Sequence, residues 1–381
     1  MKIKKLKITN FKSLKNTEIS LGNLNLITGV NSVGKSSLIQ SLLLLKQNLV
    51  VMMNNILFGQ EIIKKAFSKD NNSNTYFEHM NLRINGDYLN LGNVNEIFFE
   101  EIFDEKIVIT IFDENKETFN LEFSKDLQFT ASGSNHFNIF SNNFQYIQTD
   151  RIIPQISYQL SNEIIDKGLI GTKGEYTAHY LAKNRHKEVI SALKHPKSQT
   201  VQLHENVSLW LSDISENIEV KAKIFDELQQ VDLKYTYTYG DRTTQDFSPL
   251  NVGFGLTYSL PIIVAILKAN PNDLIIIENP ESHLHPKAQS KLAELFAIAS
   301  SVGIQLIIET HSDHILNGIR IAIKKAIIKP DETKIYYFRK EQGKLETIID
   351  SIEVNEYGAI KKYPKHFFDQ FDNDLDELIG L

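Results

Sequence analysis

No cysteine occurs anywhere in the 381 residues, which excludes disulfides, thiolate zinc sites and cysteine nucleophiles together and makes a cytoplasmic location the expectation. Long uninterrupted apolar runs are missing too. The longest, SLIQSLLLLKQNLVVMM, is broken by Lys46, Gln47 and Asn48, and the opening MKIKKLKITNF scatters charges where a signal peptide would be continuously apolar. Neither a membrane span nor an export signal is read. Positive charge is not in excess: a formal net charge of −6 speaks against a protein that coats nucleic acid over its whole surface and leaves room only for a local basic groove. Repeats, low-complexity runs and Pro/Ser linkers are absent. So is any sustained heptad pattern, and no long coiled-coil arm is expected.

With 42% hydrophobic and 23% charged residues the chain can bury a sizeable core. KIKKLKITNFKSL alternates loosely, and LNLITG after it is a short apolar strand ending in a glycine loop, so strands should lead into a helix at Ser36. From about Met80 to Phe129 the pattern predicts antiparallel sheet, with turns at Asn85-Gly86 and around Asp113-Glu114-Asn115. Residues from about Ile164 to Ile224 read as helical, and VDLKYTYTYGD returns to two-residue alternation. SLPIIVAILKA, DLIIIE, PKAQSKLAELFAIASSV, IQLIIETH and DHILNGIRIAIKKAI then alternate helix and strand as a parallel sheet does. The predicted division is 1–150 for the first half of an α/β nucleotide-binding head with its antiparallel β region and 151–245 for a mainly helical insertion ending in a strand. The second half of the head follows over 246–338, and 339–381 forms a small C-terminal cap.

GVNSVGKSS fits the phosphate-loop spacing G-x-x-x-x-G-K-[ST] with Gly29, Gly34, Lys35 and Ser36, after a strand and before a helix. Its backbone N–H groups, with Asn31 and Ser37 in the same arc, suit phosphate oxygens. Lys35 would reach the β- and γ-phosphates of ATP, and the Ser36 hydroxyl would face Mg²⁺. NVGFGLTYSLP places Asn251, Gly253 and Gly255 at a helix start, where free N–H groups suit the γ-phosphate of a nucleotide held by another subunit. His311 follows a strand of the parallel sheet, positioned to donate to a γ-phosphate.

The strand LIIIENPESHLHP ends on Glu278-Asn279 where many ATPases have Asp-Glu. Glu278 is assigned to Mg²⁺, directly or through water. Asn279 can orient a water but cannot take its proton. Glu281 either accepts that proton or serves only to cap the next helix or bridge a dimer. Gln148 in YIQTDRIIP is a second candidate for Mg²⁺, and Asp150-Arg151 beside it reads as an ion pair. His283 and His285 form too sparse a set for a metal and are expected to pack. The lysines at 2, 4, 5 and 7 and the set Arg320, Lys324 and Lys325 read as solvated faces, with phosphate tracking as the alternative. The acids from Asp369 to Glu377 read as an exposed helix or tail.

Together, LKITNFKSLKN, ITGVNSVGKSSLIQSLLLLKQ, YIQTDRIIP, NVGFGLTYSLP, IIIENPESHLHPKAQSKLAE, IETHSDHILNGIR and YGAIKKYPKHFFDQ resemble the bacterial AAA-15/ABC-type ATPases with a C-terminal DUF3696 domain, and more remotely the heads of OLD-family nucleases, RecF and Rad50. The resemblance implies an ABC-type P-loop head that binds ATP and Mg²⁺ and dimerises head to tail. It also implies service in antiphage defence beside a separate nuclease effector. Tyr258 stands where relatives often have Gln. Only about 70 residues follow His311, with no carboxylate-rich nuclease module. Two other readings stay open: a RecF-like DNA-repair ATPase, and a scaffold that binds ATP and scarcely hydrolyses it.

Overall fold

The computed structural model describes residues 1–57, 74–100, 106–364, 367–368 and 370–379. In chain order the strands and helices begin with β1 (Lys5–Phe11), β2 (Leu14–Ser20), β3 (Leu24–Gly29), α1 (Lys35–Leu57), β4 (Asn74–Asn81), β5 (Lys106–Phe112), β6 (Thr118–Ser124), β7 (Gln128–Ser134) and β8 (Gln145–Ile147). The middle of the chain supplies β9 (Tyr158–Gln159), α2 (Asn162–Asp166), α3 (Thr177–Lys183), α4 (Leu203–Ser212), β10 (Ile218–Phe225), β11 (Gln230–Tyr239) and β12 (Arg242–Thr243). The last part supplies α5 (Phe254–Leu267), β13 (Leu274–Glu278), α6 (Pro286–Ser301), β14 (Gln305–Glu309), α7 (Asp313–Lys324), β15 (Thr333–Arg339), β16 (Ile348–Ile352) and α8 (Gln370–Ile379).

Three sheets organise these elements. The central one runs β16-β15-β3-β14-β13-β8, parallel except for β16. Its inner strands LNLITG, LIIIE and QLIIE are buried almost throughout, as strands covered on both faces must be. A second sheet, β2-β1-β5-β6-β7-β4, is antiparallel, and its strands β5 and β6 alternate buried with half-buried residues as a sheet with one covered face does. Two buried apolar clusters result. One lies between the antiparallel sheet, α1 and the central sheet; the other joins the opposite face of the central sheet to α5, α6, α7 and the middle of the chain. Among the described residues no helix is long and apolar enough to cross a membrane.

Two expected elements take another form. Residues 218–225, IEVKAKIF, are not helical: they alternate apolar and polar and pair with β11 over eight residues, forming a hairpin that shares the apolar core with α3 and α4. The Asn85-Gly86 turn closes a compact loop rather than a ladder, with only the isolated bridge Asn85↔Asn90. The loop's own backbone supplies two bonds across the turn, Gly86 N–H to the Leu89 carbonyl at 2.8 Å and Leu91 N–H to the Ile84 carbonyl at 3.0 Å, and side chains of α1 hold further groups: Gln47 Oε1 accepts from the Tyr88 and Leu89 N–H groups at 3.2 Å, and Asn48 Oδ1 accepts from Arg83 at 2.7 Å. The turn at Asp113 does join β5 to β6 as a hairpin. The terminal acids lie partly on α8, where Asp374 and Glu377 are exposed; Asp369, like part of YPKHFFDQ, lies outside the described residues.

Candidate nucleotide site

The phosphate loop joins the end of β3 to α1. Gly29 has φ of 143° and Gly34 of 106°, conformations costly for any side chain, and a Cβ on Gly29 would collide with the Phe338 carbonyl of the neighbouring β15. Lys35 is buried and bends back over its own loop, its Nζ donating to the carbonyls of Gly29 at 3.0 Å and Val30 at 2.7 Å. Burial lowers its pKa, and Glu309, 4.0 Å away, opposes that shift. Gly34, Lys35, Ser36 and Ser37 line a cavity of about 500 Å³ that continues past Lys12, Gln40, Glu96, Phe98 and Lys340. Asn31 sits in the exposed arc of the loop and does not line it.

Beside this loop stands a carboxylate that the sequence reading passed over. Glu309 ends β14, and β14 pairs directly with β3. The Ser36 hydroxyl lies 3.3 and 3.4 Å from its two carboxylate oxygens. Burial and then the charge of Glu278 push the Glu309 carboxyl up to about 7. The signal was present: in LIIIE and in QLIIE an acid closes an apolar strand.

Glu278 occupies the matching position on β13, paired in register with Glu309. Its carboxyl is raised by burial, and hydrogen bonds from Tyr146 and Thr149 work against the rise. The Thr149 amide and hydroxyl approach its Oε2 at 3.3 and 3.1 Å. The same hydroxyl is 3.0 Å from Asn279 Oδ1, and its single proton serves one acceptor at a time. Asn279 itself sits at φ 44°, an αL conformation that asparagine tolerates. Glu281 reaches the next strand end, accepting from Thr310 Oγ1 at 2.7 Å and from the His311 N–H at 2.8 Å. Burial and the Lys35 charge hold the His311 imidazole below its ordinary pKa, and the ring is bonded to the Gly29 backbone. Lys35, Ser36, Glu278, Glu281, Glu309 and His311 thus gather where β3, β14 and β13 end, the usual ligand position of an α/β sheet.

The model of the AAA ATPase domain family AAA_15 matches residues 1–316. The chain belongs to that family. A second model, DUF3696, a protein family of unknown function, matches residues 328–378 of this AAA_15 ATPase. No curated protein matches the chain. Among solved structures it is similar to an SMC head bound to the C-winged helix domain of ScpA, at 13% identity and TM-score 0.53 over 93% of this chain and 98% of that one. The SMC head domain from Thermotoga maritima gives 11% and 0.46 over 93% and 100%. The head with an extended coiled coil bound to the C-terminal domain of ScpA, derived from Pyrococcus furiosus, gives 12% and 0.48 over 99% of both chains. The AAA_15 chain therefore has the mixed α/β fold of an ABC-type P-loop ATPase head.

The other sequence candidates of the AAA_15 chain lie outside the phosphate-loop cavity. Gly253 is the N-cap of α5, exposed, with open space where a Cβ would point. Gly255 lets that helix start approach the His283 carbonyl, which an added Cβ would meet at 2.5 Å. Asn251 is exposed one short turn earlier, and none of the three lines the phosphate-loop cavity. Gln148 bonds the Asp150 carbonyl at 3.3 Å, and it is its neighbour Thr149 that touches Glu278. His283 packs against Phe254 and Tyr258, with ring centroids 4.8 Å away in each case, and His285 caps α6 through the Lys287 N–H.

Asp150 and Arg151 are not an ion pair. Asp150 takes Lys173 at 2.7 Å, while Arg151, only 1% exposed, donates from one Nη to the carbonyls of Glu278 at 2.5 Å and Asn279 at 2.9 Å. Its Cζ stands 5.4 Å from the Tyr258 ring centre on α5, and burial lowers the guanidinium to about 10. One buried cation therefore touches both the β13 turn and the helix that begins at Gly253.

Proposed function

We propose that this AAA_15 chain binds and slowly hydrolyses ATP, dimerises head to tail around it, and through closure and opening gates a separate effector, a nuclease, in bacterial antiphage defence. The observation that carries the ATP reading is the convergence of Lys35, Ser36, Glu278 and Glu309 at neighbouring strand ends beside a glycine loop. The donor set suits Mg²⁺, which binds hard oxygens and takes one or two carboxylates together with substrate phosphates rather than a closed protein cage. In keeping with that, no cluster of three or more His, Cys, Asp or Glu able to hold a metal exists among the described residues. The residues that would hold it are Ser36 and Glu309, with Glu278 behind them. When bound, the ion supplies charge neutralisation to the phosphate oxygens.

The chain's own groups divide the remaining work. Lys35 turns from its loop carbonyls to the phosphate chain, and Asn279 orients the attacking water. Glu281 accepts the water's proton, leaving its bonds to Thr310 and the His311 amide. Neutral His311 has a single ring N–H, which leaves the Gly29 carbonyl to donate to the γ-phosphate. Asn251, Gly253 and Gly255 present helix N–H groups to the nucleotide of the partner subunit. The effector and its defence role rest on the resemblance to ATPases that work beside nucleases. The SMC head of similar fold, captured with a ScpA domain, is a precedent for a head that holds another protein.

The test is light scattering with and without ATP, beside turnover. ATP should drive dimerisation of the wild type, Gly253→Glu should prevent it, and purified protein alone should leave DNA and RNA intact with Mg²⁺ or Mn²⁺. A monomer that turns over ATP at undiminished rate with Gly253→Glu would sink the shared-site reading.

A further inference from the structure

The segment of unknown function is in direct contact with the phosphate loop. Its first two strands, β15 and β16, form a hairpin; β15 pairs in parallel with β3 along its length, Phe338 opposite Gly29. The connection between them returns Thr347 to the loop. The Thr347 hydroxyl lies 2.6 Å from the Val33 carbonyl and 2.8 Å from Ser13 Oγ, and its N–H donates to the Ser13 carbonyl at 2.8 Å. A carbonyl can only accept, so the threonine proton goes to Val33 and Ser13 donates its own to Thr347. The fit is close: a Cβ on Gly34 would run into Thr347 Oγ1 and stand 2.6 Å from Ser13 Oγ. Lys340 and Leu345 of the same connection line the cavity that holds Lys35, Ser36 and Ser37.

We propose that the β15–β16 hairpin of the DUF3696 segment is a working part of the nucleotide site: Thr347 positions the phosphate loop by tying Val33 to Ser13, and Lys340 offers its ammonium to the bound nucleotide triphosphate. The segment then senses occupancy, because a loop that tightens on phosphate pulls on the threonine that ends the connection. This deepens, and rests on, the ATP-site reading above. Thr347 acts through Val33 and Gly34 and is a positioning residue; Lys340 is the group that meets the ligand.

The experiment is fluorescent ATP-analogue titration of the full chain with Thr347→Val, Thr347→Ser, Lys340→Met and Lys35→Ala, together with hydrogen exchange of residues 340–347. Thr347→Val keeps the shape and the amide bond to Ser13 but loses the hydroxyl, and should weaken binding about three- to tenfold, the worth of one hydrogen bond. Thr347→Ser should restore it, Lys340→Met should weaken ATP more than adenosine, and ATP should slow exchange at 340–347. Val and Ser variants with equal affinity, or unchanged exchange, would overturn the proposal. Binding lost in Lys35→Ala but intact in Thr347→Val and Lys340→Met removes only the hairpin's role, whereas a wild type that binds no nucleotide removes the ATP site with it.

Discussion

Glu278 and Glu309 hold the same register position on adjacent parallel strands, the first half-buried and the second buried, both raised by desolvation, yet they keep different company. Glu309 faces Ser36 and Lys35 because β14 is the immediate neighbour of β3. Glu278 lies one strand further out, roughly 4.8 Å across the sheet, and is drawn to Thr149 at the end of β8 on its other side. Strand order, rather than residue type, separates the two acids. One is built into the phosphate loop and the other into the turn that carries Asn279 and Glu281.

The sharpest way to break this comparison is through the β13 turn. Glu281→Gln should bind ATP, trap the closed dimer and lose about 10²–10⁴-fold in turnover, the usual worth of a general base; near-normal turnover at saturating ATP would take Glu281 out of the chemistry. Glu278→Gln should likewise be inactive. Glu309→Gln should differ in kind, weakening the Mg²⁺ dependence of nucleotide binding by about tenfold, the worth of a charge-assisted contact. Titrating Mg²⁺ against a fluorescent ATP analogue reads this without turnover, and identical curves for the two glutamine variants would erase the distinction.

Arg151→Met removes the cation that holds the β13 turn and should cost about 3 kcal/mol, since two buried carbonyls lose their donor while a costly buried charge also disappears. Chemical denaturation measures it. Thr149→Val gives the smallest effect, about 1 kcal/mol and a few-fold in turnover, because one shared hydroxyl is lost. Should Thr149→Val instead raise turnover, the threonine would be restraining Glu278 rather than supporting it.

What the sequence could show follows from how local each feature is. The phosphate loop was legible because its glycines, lysine and serine act through the backbone they stand on. The apolar strands and the helix starting after Gly253 were legible for the same reason. Glu309 was readable in principle, since it closes its strand as Glu278 does, but its rank depends on which strand borders β3, and chain order does not state that. Arg151 was misjudged because its partners are carbonyls 127 and 128 residues away, and carbonyls carry no sequence signal. The residues 82–92 were misjudged for a related reason, their turn being held by Gln47 and Asn48 from α1. The roles of Gly253, Gly255 and Asn251 turn on a second copy of the chain and stand as proposals.

The pairing of β3 with both β14 and β15 bears on how this protein can be dissected. β14 falls within the AAA_15 match and β15 within the DUF3696 match, so the border between the two families does not coincide with a border in the sheet. A fragment stopped at residue 316 would leave the phosphate strand as an open sheet edge, with a row of unsatisfied N–H and C=O groups and an apolar sequence beside them. Such an edge recruits other chains. Expressed alone, that fragment should aggregate, and adding residues 328–352 in trans should rescue it by strand addition.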